Sequence, residues 1–396
     1  MKHRITVLGA GYAGGYTAGY LARHLHPDDV QITVVNAEPD FVERLRLHQV
    51  AAGQELRRRP LADMFAGAGV QLRVARVDMV DPDHRTVTAT GGGGVDRLEY
   101  DTLVYALGSA VDDHGAPGVV EHAHHVTTRP AAMRLREHLD ALGGTGKVLV
   151  VGGNLTAIEA ATELAESRPG LQVALATRGE LGGWLGPKAR RHLRQAFDRF
   201  GIAIHEHAAV TEVAANGAIA ENGTAFTADA TVWAAGFAVH PIAAASGLAV
   251  EPNGQVTVDR RMRSVSHPEV YAVGDAAFVV GENGKPLPMS CASAGATSMQ
   301  AVASVIGDLT GRSPKQTGLS YVGNHISLGR NDAIFQLVDG DARSKPGALL
   351  GPPAARVKGA ILRTSAWSMG HPTFGMPARR RRVATAADHT RKAVNA

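Results

Sequence analysis

A single cysteine, Cys291, stands among 396 residues, so no disulfide framework, Cys-x-x-Cys redox pair or cysteine-based zinc cluster can be assembled within the chain. The same scarcity points to a reducing, cytosolic setting. Long apolar runs are missing too: no stretch approaches the roughly 20 residues of a membrane-spanning helix. The opening MKHRITVLGAG carries too short an apolar run for a secretory leader. Net positive charge is confined to one region. The formal net charge of +4 arises in 376–396, where Arg379, Arg380, Arg381, Arg382, Arg391 and Lys392 face only Asp388. The remainder is close to neutral, which argues against a nucleic-acid partner. The basic tail, 379–396, reads as a solvated, disordered end rather than a contact for an anionic membrane.

What is present fits a compact enzyme. The length exceeds what one core usually serves, and 44% of residues are apolar against 20% charged. Glycine is abundant at 46 residues, which suits many tight strand-to-helix turns. RITVL (4–8) reads as a buried strand, followed by a glycine turn, a helix ending near Leu25 and a strand at 31–35. Segments 70–77 and 85–90, with the run Gly91–Gly94, read as hairpin pieces, and 101–107 as another buried strand. The pattern then restarts with a strand at 147–151, a helix at 155–167 and a strand at 172–176. This second βαβ unit is a repeat at domain scale. Strands at 230–235 and 269–273 and a helix over 291–309 follow, then strands at 321–328 and 333–338. Gly347–Pro353 reads as a linker or turn.

Gly9-Ala10-Gly11-Tyr12-Ala13-Gly14 is G-x-G-x-x-G placed between strand and helix. The first glycine permits the turn, the second admits a diphosphate to the backbone, and the third lets helix pack on strand. Tyr12 and Ala13 open a helix whose free N–H groups and positive end suit phosphates. The following strand ends at Asn36, where an acid commonly binds a ribose, with Glu38 two residues on.

Four segments, VLGAGYAG (7–14), DTLVYALGS (101–109), VVGGNLTAIEAATELAE (150–166) and VYAVGDAA (270–277), occur in an order and spacing that resembles the pyridine nucleotide–disulfide oxidoreductase superfamily of flavoproteins. Within it, FVERLRLHQVAAG (41–53) is similar to the loop that type II NADH dehydrogenases and their soluble relatives place beside the flavin. The resemblance covers about residues 1–340. It implies FAD across the N-terminal domain, with Gly9, Gly11 and Gly14 at its pyrophosphate and Asn36 or Glu38 at its ribose. It places Arg44 and His48 near phosphates or ring, Val77 near the adenine, Gly108 at a turn, and Gly274-Asp275 at the ribityl chain. The helix opening near Cys291 and Ala292 would aim its N–H groups at the pyrimidine end of the ring.

The second motif departs from the family's G-G-G-x-T-G-x-E. It reads Gly152-Gly153-Asn154-Leu155-Thr156-Ala157-Ile158-Glu159, with Asn154 in place of the glycine that meets the pyrophosphate. The next strand ends in Ala176-Thr177-Arg178, without an acid for a 2′-hydroxyl, so NADPH is expected over NADH. Arg178 can equally be a solvated surface residue. By resemblance, Glu159 orients the nicotinamide and Gly236 belongs to the same site; locally, Glu159 can equally be a helix-surface carboxylate.

For the electron acceptor, no cysteine pair exists, and Cys291 reads as a small buried side chain rather than a peroxide-reactive thiol. Type II dehydrogenases carry a glutamine at an A-Q-x-A-x-Q-like helix start; here the stretch is Cys291-Ala292-Ser293-Ala294-Gly295-Ala296. A respiratory quinone is thereby disfavoured. Segment 354–370 has a short apolar stripe, expected to bury on the protein body rather than lie on a membrane. Neither the set His122, His124 and His125 nor the pair His205 and His207 has carboxylates at metal-ligand spacing, so no metal site is expected. His48 is the one histidine nominated as a proton donor to reduced flavin or substrate.

The expected fold is α/β, with two Rossmann-like domains for FAD and NAD(P), of the three-layer ββα kind, and a C-terminal α+β segment. The boundaries are 1–112 with 240–312 for FAD, 113–239 for NAD(P)H, 313–378 for the C-terminal segment and 379–396 for the tail. The expected function is electron transfer from NADPH or NADH through FAD to a small quinone-like or aromatic acceptor. Two alternatives are a flavin oxidase that has weakened or lost the nicotinamide site, and a non-catalytic, FAD-stabilised interaction protein.

Overall fold

The computed structural model of the chain describes residues 1–316, 318–339, 343–372 and 379–384. The N-terminal unit runs β1 (His3–Leu8), α1 (Tyr12–His24), β2 (Val30–Asn36), a short helix α2 (Leu47–Ala51), then β3 (Val70–Asp81), β4 (Thr86–Gly91), β5 (Gly94–Glu99) and β6 (Thr102–Tyr105). Strand β1 is apolar without alternation because helices and strands cover both its faces, and Ile5, Val7 and Leu8 are fully buried. It pairs in parallel with β2, Leu8 opposite Val35, and with β6. The expected hairpin is a three-stranded meander. Strand β5 was not expected, because GVDRLE is almost wholly exposed and has no buried face to impose a pattern.

The second unit contains β7 (Ala123–His124), α3 (Arg129–Ala141), β8 (Gly146–Val151), α4 (Leu155–Ser167), β9 (Leu171–Ala176), α5 (Pro187–Phe200), β10 (Ala203–His205) and β11 (Ala230–Trp233). Its sheet has the order β10-β9-β8-β11-β7, all parallel. The chain then returns to the first sheet with β12 (Val270–Ala272), completing the order β12-β6-β1-β2-β3-β4-β5. Helix α6 (Cys291–Thr310) buries Ala294, Ala301, Val302 and Val305 in the same core as Ala13, Ala18 and Leu21 of α1.

The C-terminal strands β13 (Gly323–Ser327), β14 (Ala333–Leu337) and β15 (Leu349–Leu350) form an antiparallel sheet. Their Ile326 and Ile334, with Leu328 just after β13, join the second unit's core, as do Leu47, Val50 and Ala51 of α2. The residues expected as a linker are β15 and the start of α7 (Pro352–Gly370). Two prolines that read as a turn occupy the first helical positions, where a missing N–H costs nothing. Helix α7 buries Ala354, Lys358, Leu362, Ala366 and Met369 against the body. Among the described residues no helix is long and apolar enough to cross a membrane.

Residues 381–384 of the basic tail are not a solvated end, although Arg379 and Arg380 before them are exposed. Arg381 pairs with the chain after α1, donating its N–H to His24 O at 2.8 Å and accepting from His26 N at 2.9 Å. Arg382 reaches Asp29 at 2.8 Å, and Val383 packs on the first core. Two open backbone edges meet there, and acids at 28 and 29 neutralise the guanidinium. The rest of the expected tail, 385–396, lies outside the described residues.

Candidate active site

The turn between β1 and α1 divides its glycines by task. Gly9 has φ +91°, and a Cβ there would stand 2.4 Å from Ala106 O; at Gly14 it would stand 2.0 Å from Gly9 O. Both are needed for packing. A Cβ on Gly11 would meet nothing within 4 Å. Gly11 is also the N-cap of α1, without any side chain to satisfy the first turn, so the helix end opens with its N–H groups available. A small concavity bordered by bare amides and a helix's positive end fits a diphosphate.

Asn36 stabilises this turn from beneath. Its Oδ1 accepts from Ala10 N at 2.8 Å and its Nδ2 donates to Glu38 O at 2.7 Å. Each end of the amide is engaged with backbone, one lone pair and one N–H remaining on the partly exposed side chain, and Glu38 is the exposed carboxylate beyond it.

A cavity of about 720 Å³ runs from Gly11, Tyr12 and Ala13 past Gly108 to Gly274, Asp275 and Ala292, and on to Asn154, Leu155, Thr156 and Glu159. Both dinucleotide turns thus open into one chamber. Arg44 and His48 also line it. Val77 sits in the core at 6% exposure rather than on this wall. Nor do Gly9, Gly14, Asn36, Glu38, Gly152, Gly153, Thr177, Arg178 or Gly236 line it; they stand behind or beside the turns.

At one end, Ser109 Oγ donates to Asp275 Oδ2 at 2.7 Å, while Arg44 donates to Ser109 O at 2.6 Å and to Ser109 Oγ at 3.0 Å. The Arg44 guanidinium lies 5.0 Å from the Phe237 ring centre, and burial pulls its pKa down against the opposing charge of Asp275. Gly274 N donates to Thr297 Oγ1 at 3.0 Å, which ties the Gly-Asp turn to α6. Ser290 caps α6 through Ser293 N, leaving the N–H groups of Cys291 and Ala292 at the chamber. Burial pushes the Cys291 thiol up to about 11, so it is a neutral wall rather than a thiolate.

At the other end, Asn154 is the N-cap of α4, its Oδ1 accepting from Ala157 N at 3.0 Å and its Nδ2 donating to Ala234 O at 2.8 Å. Trp184 Nε1 donates to Gly153 O at 3.2 Å. Thr177 is buried and Arg178 exposed at the end of β9. A Cβ on Gly236 would come within 3.0 Å of His114 Nε2.

The chamber's floor is ionic. Glu159 Oε1 lies 2.9 Å from Lys358 Nζ and accepts from Ser327 N at 2.9 Å. Lys358 Nζ also reaches His325 Nδ1 and His325 O, each at 3.0 Å. Burial alone would raise the Glu159 carboxyl, but Lys358, with His48 and the Ser327 N–H, holds it below its usual range. Glu159 is thus no helix-surface carboxylate. Burial pushes His325 down to about 4, and the Lys358 charge adds to this. Burial also lowers His48, which is 4% exposed with Nε2 shielded from solvent. The lowered pKa leaves His48 uncharged at neutral pH.

Lys358 and His325 carry no motif and were missed. One signal existed: Lys358 stands on the buried stripe 354, 358, 362, 366, at a spacing where every other residue is apolar.

Comparison with known proteins places these features in a family context. The family model described as pyridine nucleotide-disulphide oxidoreductase matches residues 3–298. An NADH dehydrogenase-like protein of Mycobacterium tuberculosis is 30% identical over 357 residues, spanning 84% of this chain and 87% of the relative. A demethylphylloquinone reductase of Synechocystis is 25% identical over 367 residues, spanning 88% and 90%. Among solved structures, the sulfide:quinone oxidoreductase of Aquifex aeolicus superposes with a TM-score of 0.79 at 22% identity, over 93% of this chain and 92% of that one.

Proposed function

Because the chain belongs to the pyridine nucleotide-disulphide oxidoreductase family, we propose that its chamber passes two electrons from NADPH, through FAD, to a small quinone-like acceptor. That it is an NAD(P)H-dependent flavoprotein oxidoreductase follows from the family and the relatives; the acceptor, and NADPH over NADH, are our reading. One observation carries it: the two helix ends, at Gly11 and at Asn154, face a single chamber with an ion pair at its floor.

FAD, when bound, supplies the two-electron relay between nicotinamide and acceptor. The open end of α1 at Gly11 would hold the diphosphate through the N–H groups of Tyr12 and Ala13. Asp275, fixed by Ser109 and by the Gly274 tether, offers carboxylate oxygen to sugar or ribityl hydroxyls. Cys291 and Ala292 direct N–H dipoles toward negative charge at the ring. Reduction of a quinone by NADPH consumes one proton beyond the hydride. The Lys358 ammonium, held against Glu159, keeps a proton at the chamber wall, and neutral His48 provides a second site for its passage. Arg178, exposed just past the end of β9, suits a 2′-phosphate.

The test is anaerobic mixing of the FAD-loaded protein with NADPH or NADH, followed by a naphthoquinone. Bleaching of the 450 nm flavin band, faster with NADPH, and its return on adding quinone are expected. A flavin that neither nucleotide bleaches would overturn the reading and favour an oxidase that no longer uses nicotinamide.

A further inference from the structure

The two dinucleotide turns are built alike and finished differently. In each, the first glycine lies under a carbonyl: a Cβ on Gly9 would stand 2.4 Å from Ala106 O, and one on Gly152 would stand 2.4 Å from Ala234 O. In the first turn the N-cap, Gly11, has no side chain and faces open space. In the second, the N-cap is Asn154. Its Oδ1 holds the Ala157 N–H, and its Nδ2 holds Ala234 O, so the carboxamide is tied at both ends. The turn is further held by the Trp184 indole on Gly153 O.

An oxygen accepting from the first turn of a helix does what a bound anion would do there. Asn154 Oδ1 therefore stands where α4 would receive phosphate oxygen, and it lines the chamber. We propose that Asn154 is an affinity gate for the nicotinamide dinucleotide: the carboxamide occupies the anion seat of α4, and the diphosphate enters by displacing it. The gate rests on the reading that a nicotinamide dinucleotide occupies this half of the chamber. It acts on binding, since no atom of Asn154 need touch the reacting ring. Displacement breaks two hydrogen bonds to backbone, which together amount to about a factor of ten in equilibrium constant. The first turn carries no such gate, so the asymmetry separates a permanently held cofactor from an exchanging one.

Two variants move the equilibrium in opposite directions. In Asn154→Gly the seat is open, and the dissociation constant of NADP⁺ for the FAD-loaded protein, measured by calorimetry, is expected to fall about tenfold. Glycine is itself a tolerated N-cap, so the melting temperature of this variant falls only slightly. In Asn154→Asp the cap on Ala157 N is kept, the bond to Ala234 O is lost and a negative charge is added, and NADP⁺ binding is expected to weaken about tenfold or more with only a small fall in melting temperature. Nicotinamide mononucleotide, which lacks the diphosphate, should bind Asn154→Gly and the unaltered protein within twofold of each other. Unchanged or weaker NADP⁺ binding by Asn154→Gly, or unaltered binding by Asn154→Asp, overturns the gate; because the aspartate variant retains its cap, it decides the matter even where the glycine variant is unstable. If NADP⁺ affinity moves as expected while NADPH leaves the flavin oxidised, the gate stands and the proposed electron transfer falls.

Discussion

Replacing Lys358 by Met tests the ionic floor of the chamber most severely. The ammonium has three protons and three acceptors, Glu159 Oε1 at 2.9 Å and His325 Nδ1 and O at 3.0 Å. The Lys358 and Glu159 side chains are 6% and 10% exposed. Removing one partner of such a pair leaves a buried charge uncompensated, at a cost of about 3–5 kcal/mol. For a chain of 396 residues, with an unfolding entropy of about 2.1 cal/mol/K per residue, that corresponds to roughly 4–6 °C in melting temperature. The pH dependence fixes the cause. In the unaltered protein the depressed Glu159 contributes stability above the carboxyl's ordinary value, 4.5, and loses it as pH falls through the lower folded value. Without Lys358, burial raises the Glu159 carboxyl instead, so the deficit grows as pH rises. Thermal unfolding followed by circular dichroism at pH 5, 6.5 and 8 should show the gap between Lys358→Met and the unaltered protein widening. Adding Glu159→Gln should recover most of the loss, because the amide still accepts from Ser327 N without a charge to bury. A loss below 2 °C at pH 8, a gap independent of pH, or a double variant no better than the single would refute the reasoning.

Two further outcomes follow from the geometry. Gly11→Ala should fold normally, within about 0.5 kcal/mol, since its Cβ meets nothing and its φ of −71° is open to any residue. It should nevertheless lose FAD on gel filtration, read as flavin absorbance per protein, whereas Gly14→Ala should lose fold and flavin together because its Cβ would stand 2.0 Å from Gly9 O. His325, lowered from 6.5 to about 4 by burial, stays neutral in the folded chain while the unfolded chain protonates. Its contribution is therefore intact above pH 6.5 and drains away toward pH 4, by up to about 3 kcal/mol. His325→Gln should flatten the melting-temperature profile over that interval, and an unchanged profile would count against a neutral His325.

Much of this was legible in the residues. Unalternated apolar runs at 4–8 and 147–151 could only be strands covered on both faces, and helix α4 begins and ends where its motif and periodicity place it, at Leu155 and Ser167. The glycine string told that a diphosphate turn exists, though not that Gly9 and Gly14 pack while Gly11 alone faces space. Less was legible where contacts are long-range. Strand β5 is held mainly by its ladder with β4 and buries little beyond Leu98, so its sequence bears hardly any imprint of burial. Asn36 was read by its place at the end of β2, but its partner is Ala10 N, across the sheet crossover. The ionic floor joins residues from α4, β13 and α7, nearly two hundred positions apart, and only the odd lysine on an apolar stripe betrayed it.

Asp29 is touched from both directions along the chain. Its carbonyl accepts from His3 N at 2.8 Å, and its carboxylate receives Arg382 at 2.8 Å and Val383 N at 3.0 Å. Start and finish of the described polypeptide are thus moored to one residue, on the far side of α1 from its open end. A short linker between them would close the chain into a ring, and new termini cut at an exposed turn such as Gly92-Gly93 would leave the chamber's architecture undisturbed.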